Sequence, residues 1–247
     1  MTFLIPCAGL GTRFHSNIPK PLIEVLRDRP MLELVLDNLR QQEDHRFVCC
    51  ILKEHELKFN LSQEIKKFAP YVEIHIIEKL SDGPASTCYE AKGLVDENDE
   101  LIIINCDQII EDFDVRRFLR FCHAHDYDGV LGTFFSRSPK NSYVKLDDKG
   151  LVVEAQEKKV LSEYATNGLH YWKRARYFFE SYRAMAKQNC RTLNEFYVAP
   201  SYNYLINDGR RIGTYFFNEH YPIGIPSDLE YYKNLKRKWK VYSEIRL

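Results

Sequence analysis

"IPCAGLGTRFHSNIPKPLIEV", running from Ile5 to Val25, leaves an apolar run and passes through two glycines, an arginine and a proline-flanked lysine. Two familiar glycine motifs fail on it. The phosphate loop GxxxxGK[ST] is absent, and the dinucleotide fingerprint GxGxxG meets Phe14 where a small residue must let helix and strand pack closely. What is left is a turn of bare backbone presenting amide N–H groups from Gly9 to Arg13. Successive amides form an anion-binding concavity, and glycine permits both a positive φ and the close approach of a phosphate. Arg13 can fork two phosphate oxygens, while Lys20 acts as a point charge. A plain turn with solvated charges would account for a lone GxG. Pro19 and Pro21 stiffen the chain on either side of Lys20, and a fixed cation favours the phosphate reading.

Outward from this turn, β-type runs at Phe3–Ile5, Phe47–Leu52, Val72–Ile77, Leu101–Ile104 and Val130–Phe135 alternate with helically spaced segments at Pro30–Gln41, Leu61–Phe68, Ala85–Val95 and Val115–His123. The alternation predicts an α/β fold: a Rossmann-like mixed, mostly parallel sheet with helices on both faces. Runs such as "LIIIN" are apolar throughout, as strands covered on both sides require. After about Arg137 the texture changes. "SYVKLDD", "GLVVEAQEK" and "ATNGLHYW" read as a small antiparallel subregion, followed by helices near Ala175–Lys187 and Glu195–Ile206 and a strand at Arg211–Phe217. Ligands of such sheets bind beyond the carboxyl ends of the strands, so the turns at Cys7–Phe14, Glu78–Gly83 and Asn105–Gln108 share one rim.

A chain of 247 residues, 45% hydrophobic and 28% charged, fits a single large α/β domain. Thirty-five basic residues balance 35 acidic ones, so the net charge is zero and no broad field for nucleic acid exists. The cysteine count is odd at seven, with no CxxC pair. Cys49 and Cys50 would face opposite sides of a strand, which suits neither a disulfide framework nor a metal site. Reduced thiols and a cytoplasmic location are expected. The amino terminus has too short an apolar run for a signal peptide, and no segment reaches the ~18 apolar residues of a membrane span.

Taken whole, "AGLGTRFHSNIPKPLIEV" closely resembles the G-x-G-T-R…P-K-P-L signature of the sugar nucleotidyltransferases, the nucleoside-diphosphate-sugar pyrophosphorylases, whose fold is similar to that of family A glycosyltransferases. The resemblance continues through "EKLSDGPASTCYEAKGLV", "LIIINCDQII", "VVEAQEKK", "ATNGLHYW" and "LNEFYVAPSYNYLINDG". It implies one domain over residues 1–247, with a nucleotide-binding half at 1–136 and an acceptor-binding half plus C-terminal helix at 137–247. It also implies a cytoplasmic enzyme that transfers a nucleoside monophosphate from a triphosphate to a small phosphorylated acceptor with release of pyrophosphate. By texture it resembles small capsule and envelope-pathway members that make surface-glycan precursors. Arg13 and Lys20 would be catalytic. Ala8, Gly9, Leu10, Gly11, Thr12, Glu78 and Gly83 would contact the nucleotide, and Asp107 would carry Mg²⁺. Glu157, Lys158, Asn167, Gly168 and Glu195 would contact the acceptor, with Lys158 on its phosphate.

Base choice follows from Glu78, where uracil- or thymine-using members typically have glutamine. An ionised carboxylate only accepts hydrogen bonds, so CTP or GTP is expected, with a lean to CTP. One departure stands out. Aligning the glycines of "HYPIGIPSDLEYY" with the family's W-x-D-x-G places Pro222 where a second metal-binding aspartate is usual, which leaves Glu219 and Asp228 as substitutes or Asp107 alone. His123 and His125 lack a partner at ligand spacing and read as surface histidines. The basic tail "KRKWKVYSEIRL" reads as a solvated end or a subunit contact, so a homo-oligomer stays open and a nucleic-acid partner is not expected. A related-fold glycosyltransferase would want D-x-D after the fourth strand, which "NCDQ" does not supply. A nucleotide-binding regulator without turnover would fit the proline but not the intact cations.

Overall fold

A computed structural model describes residues 1–39, 45–111 and 113–245. Period-two alternation decides its architecture. In β1 (Thr2–Pro6), Phe3 and Ile5 enter one core and Leu4 enters another. A small hairpin of β2 (Glu24–Leu26) and β3 (Arg29–Pro30) leads into α1 (Met31–Leu39). β4 (Arg46–Leu52) repeats the pattern: Cys49 faces the first core and Cys50 the second, and all seven cysteines are free. Helices α2 (Lys53–Phe59) and α3 (Leu61–Phe68) precede β5 (Glu73–Ile77), and α4 (Pro84–Glu90) precedes β6 (Leu101–Ile104). Both faces of these strands are apolar because each face is covered.

The second half adds β7 (Gln108–Ile110), α5 (Val115–Ala124), β8 (Gly129–Phe135), β9 (Ser142–Leu146), β10 (Val152–Glu157) and β11 (Tyr164–Trp172). Helices α6 (Ala175–Lys187) and α7 (Val198–Asn207), strands β12 (Ile212–Phe216) and β13 (His220–Pro222), and α8 (Pro226–Ile245) complete it. Nine strands form one mixed sheet in the order β10-β9-β11-β6-β1-β4-β5, with β8 on β11 and β12 on β8. Pairing is parallel from β5 to β6, where Leu4 stands opposite Val48 and Ile103, and antiparallel around β11. The parallel first half and antiparallel subregion match the pattern expected from the sequence. Among the described residues no helix is long and apolar enough to cross a membrane.

Several elements depart from the periodicity. The first helix ends at Leu39, and the remaining positions of the expected Pro30–Gln41 segment lie outside the described residues. α2 has no counterpart in the expectation, because "KEHELKF" buries only His55. The expected Ala85–Val95 helix stops at Glu90 and continues as a 3-10 turn at Lys92–Leu94. α7 begins at Val198 instead of Glu195, because Thr192 and Glu195 close a tight turn between themselves at 2.9 and 3.0 Å.

One small pairing places the site. β13 runs antiparallel to β7 with Pro222 opposite Gln108, and the Ile223 N–H donates to the Asp107 carbonyl at 2.9 Å. The late segment is thereby clamped beside the end of the fourth parallel strand.

Candidate functional site

A cavity of about 480 Å³ opens beyond the carboxyl ends of β1 and β6. At Gly11 the chain turns left-handed (φ 66°), and a Cβ there would stand 3.1 Å from the Lys20 Cβ. The missing side chain lets Lys20 pack on the turn. A 3-10 turn at Thr12–Phe14 carries Arg13 to the cavity wall, and a second at Lys20–Leu22, begun between two prolines, delivers Lys20.

Lys20 Nζ donates to Asp107 Oδ2, and Asp107 Oδ1 accepts from Gln108 Nε2 at 3.1 Å. Burial pushes the Asp107 carboxyl up, but the Lys20 charge and hydrogen bond outweigh it and hold the group below its ordinary value. For Lys20 burial pushes the other way, and the Asp107 charge again wins, so the ammonium sits above its ordinary value. Both are ionised at neutral pH. Gly224 completes this corner: a Cβ there would overlap Asp107 Oδ2 and come within 3.5 Å of Lys20 Nζ. The glycine turn, Arg13, Lys20 and Asp107 therefore share one end of the cavity, as the sequence led us to expect.

Ser81, Gly83 and Thr87 also line the wall, and the two hydroxyls share a 2.6 Å hydrogen bond. Glu78 does not line it. Its carboxylate is 71% exposed and pairs with Lys53 at 2.6 Å, because α2 follows β4 directly and brings that lysine alongside the end of β5.

Glu157 and Glu195 line the same cavity together with Ser142 and Tyr197. Glu157 is buried and accepts from Ser142 Oγ, and burial pushes its carboxyl above the ordinary value. Tyr197 donates to Glu195 Oε2 at 2.5 Å and accepts from Lys158 Nζ at 2.6 Å. Lys158 is thereby held back from the lining: its ammonium lies 4.4 Å from the centre of the Tyr197 ring and 3.8 Å from Glu157. Lys140, a cation the sequence reading passed over, lines the cavity instead, and no side-chain partner for its ammonium occurs among the described residues.

Gly168, at φ 81°, lines the floor, and its bare Cα leaves room for Asn105, whose Nδ2 would lie 2.8 Å from an added Cβ. Asn167 next to it points to the opposite face of β11, packed on Gly132, with its Nδ2 buried and unpartnered. A strand sends neighbouring side chains to opposite faces, so Asn167 and Gly168 cannot both reach the cavity. His170, two residues beyond Gly168, also lines it, and burial lowers its pKa to about 3, so it is neutral.

Neither substitute acid reaches Asp107's corner. Glu219 uses its carbonyl to accept from the Glu111 N–H at 2.9 Å, and Asp228 sits in the first turn of α8; neither lines the cavity. The two histidines of the HxH have local partners, His123 with Glu100 at 2.5 Å and His125 with the Phe121 carbonyl at 2.9 Å.

No cluster of three or more metal-ligating side chains occurs among the described residues. Asp107 alone still fits Mg²⁺. A carboxylate has about four acceptor positions, of which the described hydrogen bonds use two, and Mg²⁺ is commonly held by one or two carboxylates with phosphate oxygens and water completing its shell.

The family model described as nucleotidyl transferase matches residues 4–236. Among curated proteins none matches. A nucleoside-diphosphate-sugar pyrophosphorylase from Vibrio cholerae RC9 superposes with a TM-score of 0.81 at 20% identity, covering 94% of this chain and 99% of that one. A UDP-glucose pyrophosphorylase complexed with UDP-glucose gives 0.77 at 15% identity over 96% and 98%. The inositol-1-phosphate CTP transferase from T. maritima gives 0.71 at 12% identity over 94% and 93%. At these identities the likeness concerns the fold.

Proposed function

Since the chain belongs to the nucleotidyl transferase family, we propose that it joins a nucleoside monophosphate, taken from a triphosphate, to a sugar phosphate or similar small phosphate ester. The observation that carries this reading is the convergence of bare amides, Arg13, Lys20 and Asp107 on one cavity whose lining also presents Glu157, Glu195 and Tyr197.

A phosphate monoester has a second pKa near ~6, so at neutral pH it is an anionic nucleophile that needs no general base. Its oxygen forms a bond to the α-phosphorus, the bond to the bridging oxygen breaks, and pyrophosphate leaves with that electron pair. The protein's work is then positioning and neutralisation of charge. The turn amides hold the terminal phosphates, and Arg13 faces the α-phosphate and the departing pyrophosphate. Lys20, kept ionised by its carboxylate partner, draws the two reacting phosphates together. Asp107 would hold Mg²⁺, which supplies charge neutralisation on the triphosphate. On the acceptor side we assign the phosphate to Lys140 with Lys158 behind it, and the remaining hydroxyls or amine to Glu157 and Glu195. Asp107→Asn is expected to raise the Mg²⁺ concentration for half-maximal turnover about tenfold, measured by titration at saturating triphosphate.

For the base we propose CTP or GTP, on the ground that an ionised Glu78 accepts only. Reaching a base requires it to swing from Lys53, and its exposure leaves that movement free. Glu78→Gln is expected to move the preference towards UTP or dTTP about tenfold, and an unchanged ranking of the five triphosphates would remove Glu78 from base selection. A role in surface-glycan precursor synthesis rests on the resemblance of the "NCDQ" and "EFYVAP" segments. Pyrophosphate release with each triphosphate against a panel of hexose, heptose, polyol and amino-alcohol phosphates tests the whole reading. Nucleotide binding without release in every pairing would favour a regulator.

A further inference from the structure

The segment 189–196, between α6 and α7, runs outside the cavity lining, apart from Glu195. Asn189, Leu193 and Asn194 all hold left-handed backbone, at φ 52°, 47° and 66°. Thr192 and Glu195 exchange both backbone hydrogen bonds around the last two. Positive φ at both centres of a two-residue turn suits glycine or asparagine, and a leucine has no local preference for it. Leu193 is also 71% exposed, so burial does not hold it there. The restraint comes from elsewhere.

Arg191 supplies it. Its Nε donates to Asn189 Oδ1 at 2.7 Å, Nη1 to the Asn194 carbonyl at 3.0 Å and Nη2 to Asp82 Oδ2 at 2.8 Å, while the guanidinium lies 4.1 Å from the Phe196 ring centre. A single exposed ion pair would contribute little. A planar fork whose three nitrogens each reach a separate acceptor is preorganised, and it fixes the turn against a second loop. That loop carries Gly83, which lines the cavity and which the family resemblance assigns to the nucleotide. The Phe196 N–H donates to the Asp82 carbonyl at 2.7 Å, and the Ala85 N–H donates to the Phe196 carbonyl at 3.0 Å. A Cβ on Gly83 would stand 2.9 Å from the Glu195 Cβ.

Resting on the reading of the cavity given above, we propose that Arg191 is a positioning residue that holds Gly83, assigned to the nucleotide, in register with Glu195, assigned to the acceptor. The two substrate sites are then set as one unit by a side chain that lines neither. Gly83 has no Cβ because the register leaves no room for one.

Steady-state pyrophosphate release and substrate-free amide hydrogen exchange on the full chain test this with Arg191→Ala and Arg191→Lys. In Arg191→Ala the KM values for triphosphate and acceptor are expected to rise together, about tenfold each, with kcat changed by less than about threefold. Arg191→Lys keeps a charge for Asp82 but not the three-way fork, and should recover part of both. Exchange at the Ala85 and Phe196 amides should quicken about tenfold in the alanine variant. A rise confined to one KM, a lower Tm with both KM values unchanged, or unaltered exchange at those two amides would each overturn the proposal. If the wild-type chain releases no pyrophosphate in any pairing, the functional reading fails, and the exchange data alone still decide the coupling.

Discussion

Lys20→Ala is expected to lower turnover about a thousandfold at pH 7 while leaving the protein folded. Removing one preorganised donor aimed at developing charge costs about 10²–10³ in rate, or roughly 3–4 kcal/mol of barrier. Lys20 does more than one donor's work, because it also neutralises the half-buried Asp107 carboxylate. Arg13→Ala, at an exposed position, should cost about a hundredfold by the same reasoning. Stability responds as well. Each side chain of the pair keeps a little under a fifth of its surface exposed, 18% for Lys20 and 17% for Asp107, so the loss should fall near 2 kcal/mol, below that of a fully buried pair.

The pH dependence has a definite sign. Asp107's folded pKa is depressed below 3.8, so its contribution is complete above that value and is lost as pH falls through the folded pKa. The folded pKa of Lys20 is raised above 10.5, so its contribution is complete below that value and is lost as pH rises through the folded pKa. The stability gap between wild type and Lys20→Ala should therefore be flat from about pH 5 to pH 9 and narrow outside that window. Urea unfolding across pH measures the gap, and pyrophosphate release measures the rate. Wild-type turnover in Lys20→Ala would remove this ammonium from the chemistry.

What the sequence disclosed and what it hid divide along a physical line. The sheet was legible because "TFLIP", "RFVCCIL" and "LIII" are apolar on both faces, as two cores at once require. Arg13 and Lys20 were legible because each lies within a short stretch whose glycines or prolines fix the local chain, Asp107 because it stands just past the apolar run "LIII", and the ends of parallel strands bring such stretches to one rim. Contacts made by long side chains across the sheet were not legible. Lys158 is drawn to Tyr197, and Glu78 to Lys53, by partners 39 and 25 residues away. Asn167 was lost to a choice of strand face: Thr166, Gly168 and His170 line the cavity, and the sequence pattern alone does not say which alternate set of β11 faces it. The Leu193–Asn194 turn carries no glycine to announce it, which is why the late helix was expected three residues early.

Gly224→Ala is the second large effect expected, and it comes from a residue that carries no functional group. Its added methyl would occupy the space of Asp107 Oδ2. The backbone cannot yield easily, because the Ile223 N–H is bonded to the Asp107 carbonyl and Pro222 is registered against Gln108. The carboxylate can rotate, and in rotating it leaves Lys20 and whatever cation it holds. The fold should therefore survive with Tm within about 5 °C of wild type, while turnover falls about a hundredfold or more. Gly93→Ala makes the control: nothing lies within 4 Å of a Cβ there, so it should change neither quantity. The strand beside Asp107, His220–Pro222, carries no carboxylate, so none there can take over when Asp107 turns away. If Gly224→Ala keeps wild-type turnover and Mg²⁺ response, the orientation of Asp107 is immaterial, and the corner formed by Lys20, Asp107 and Gly224 is structural.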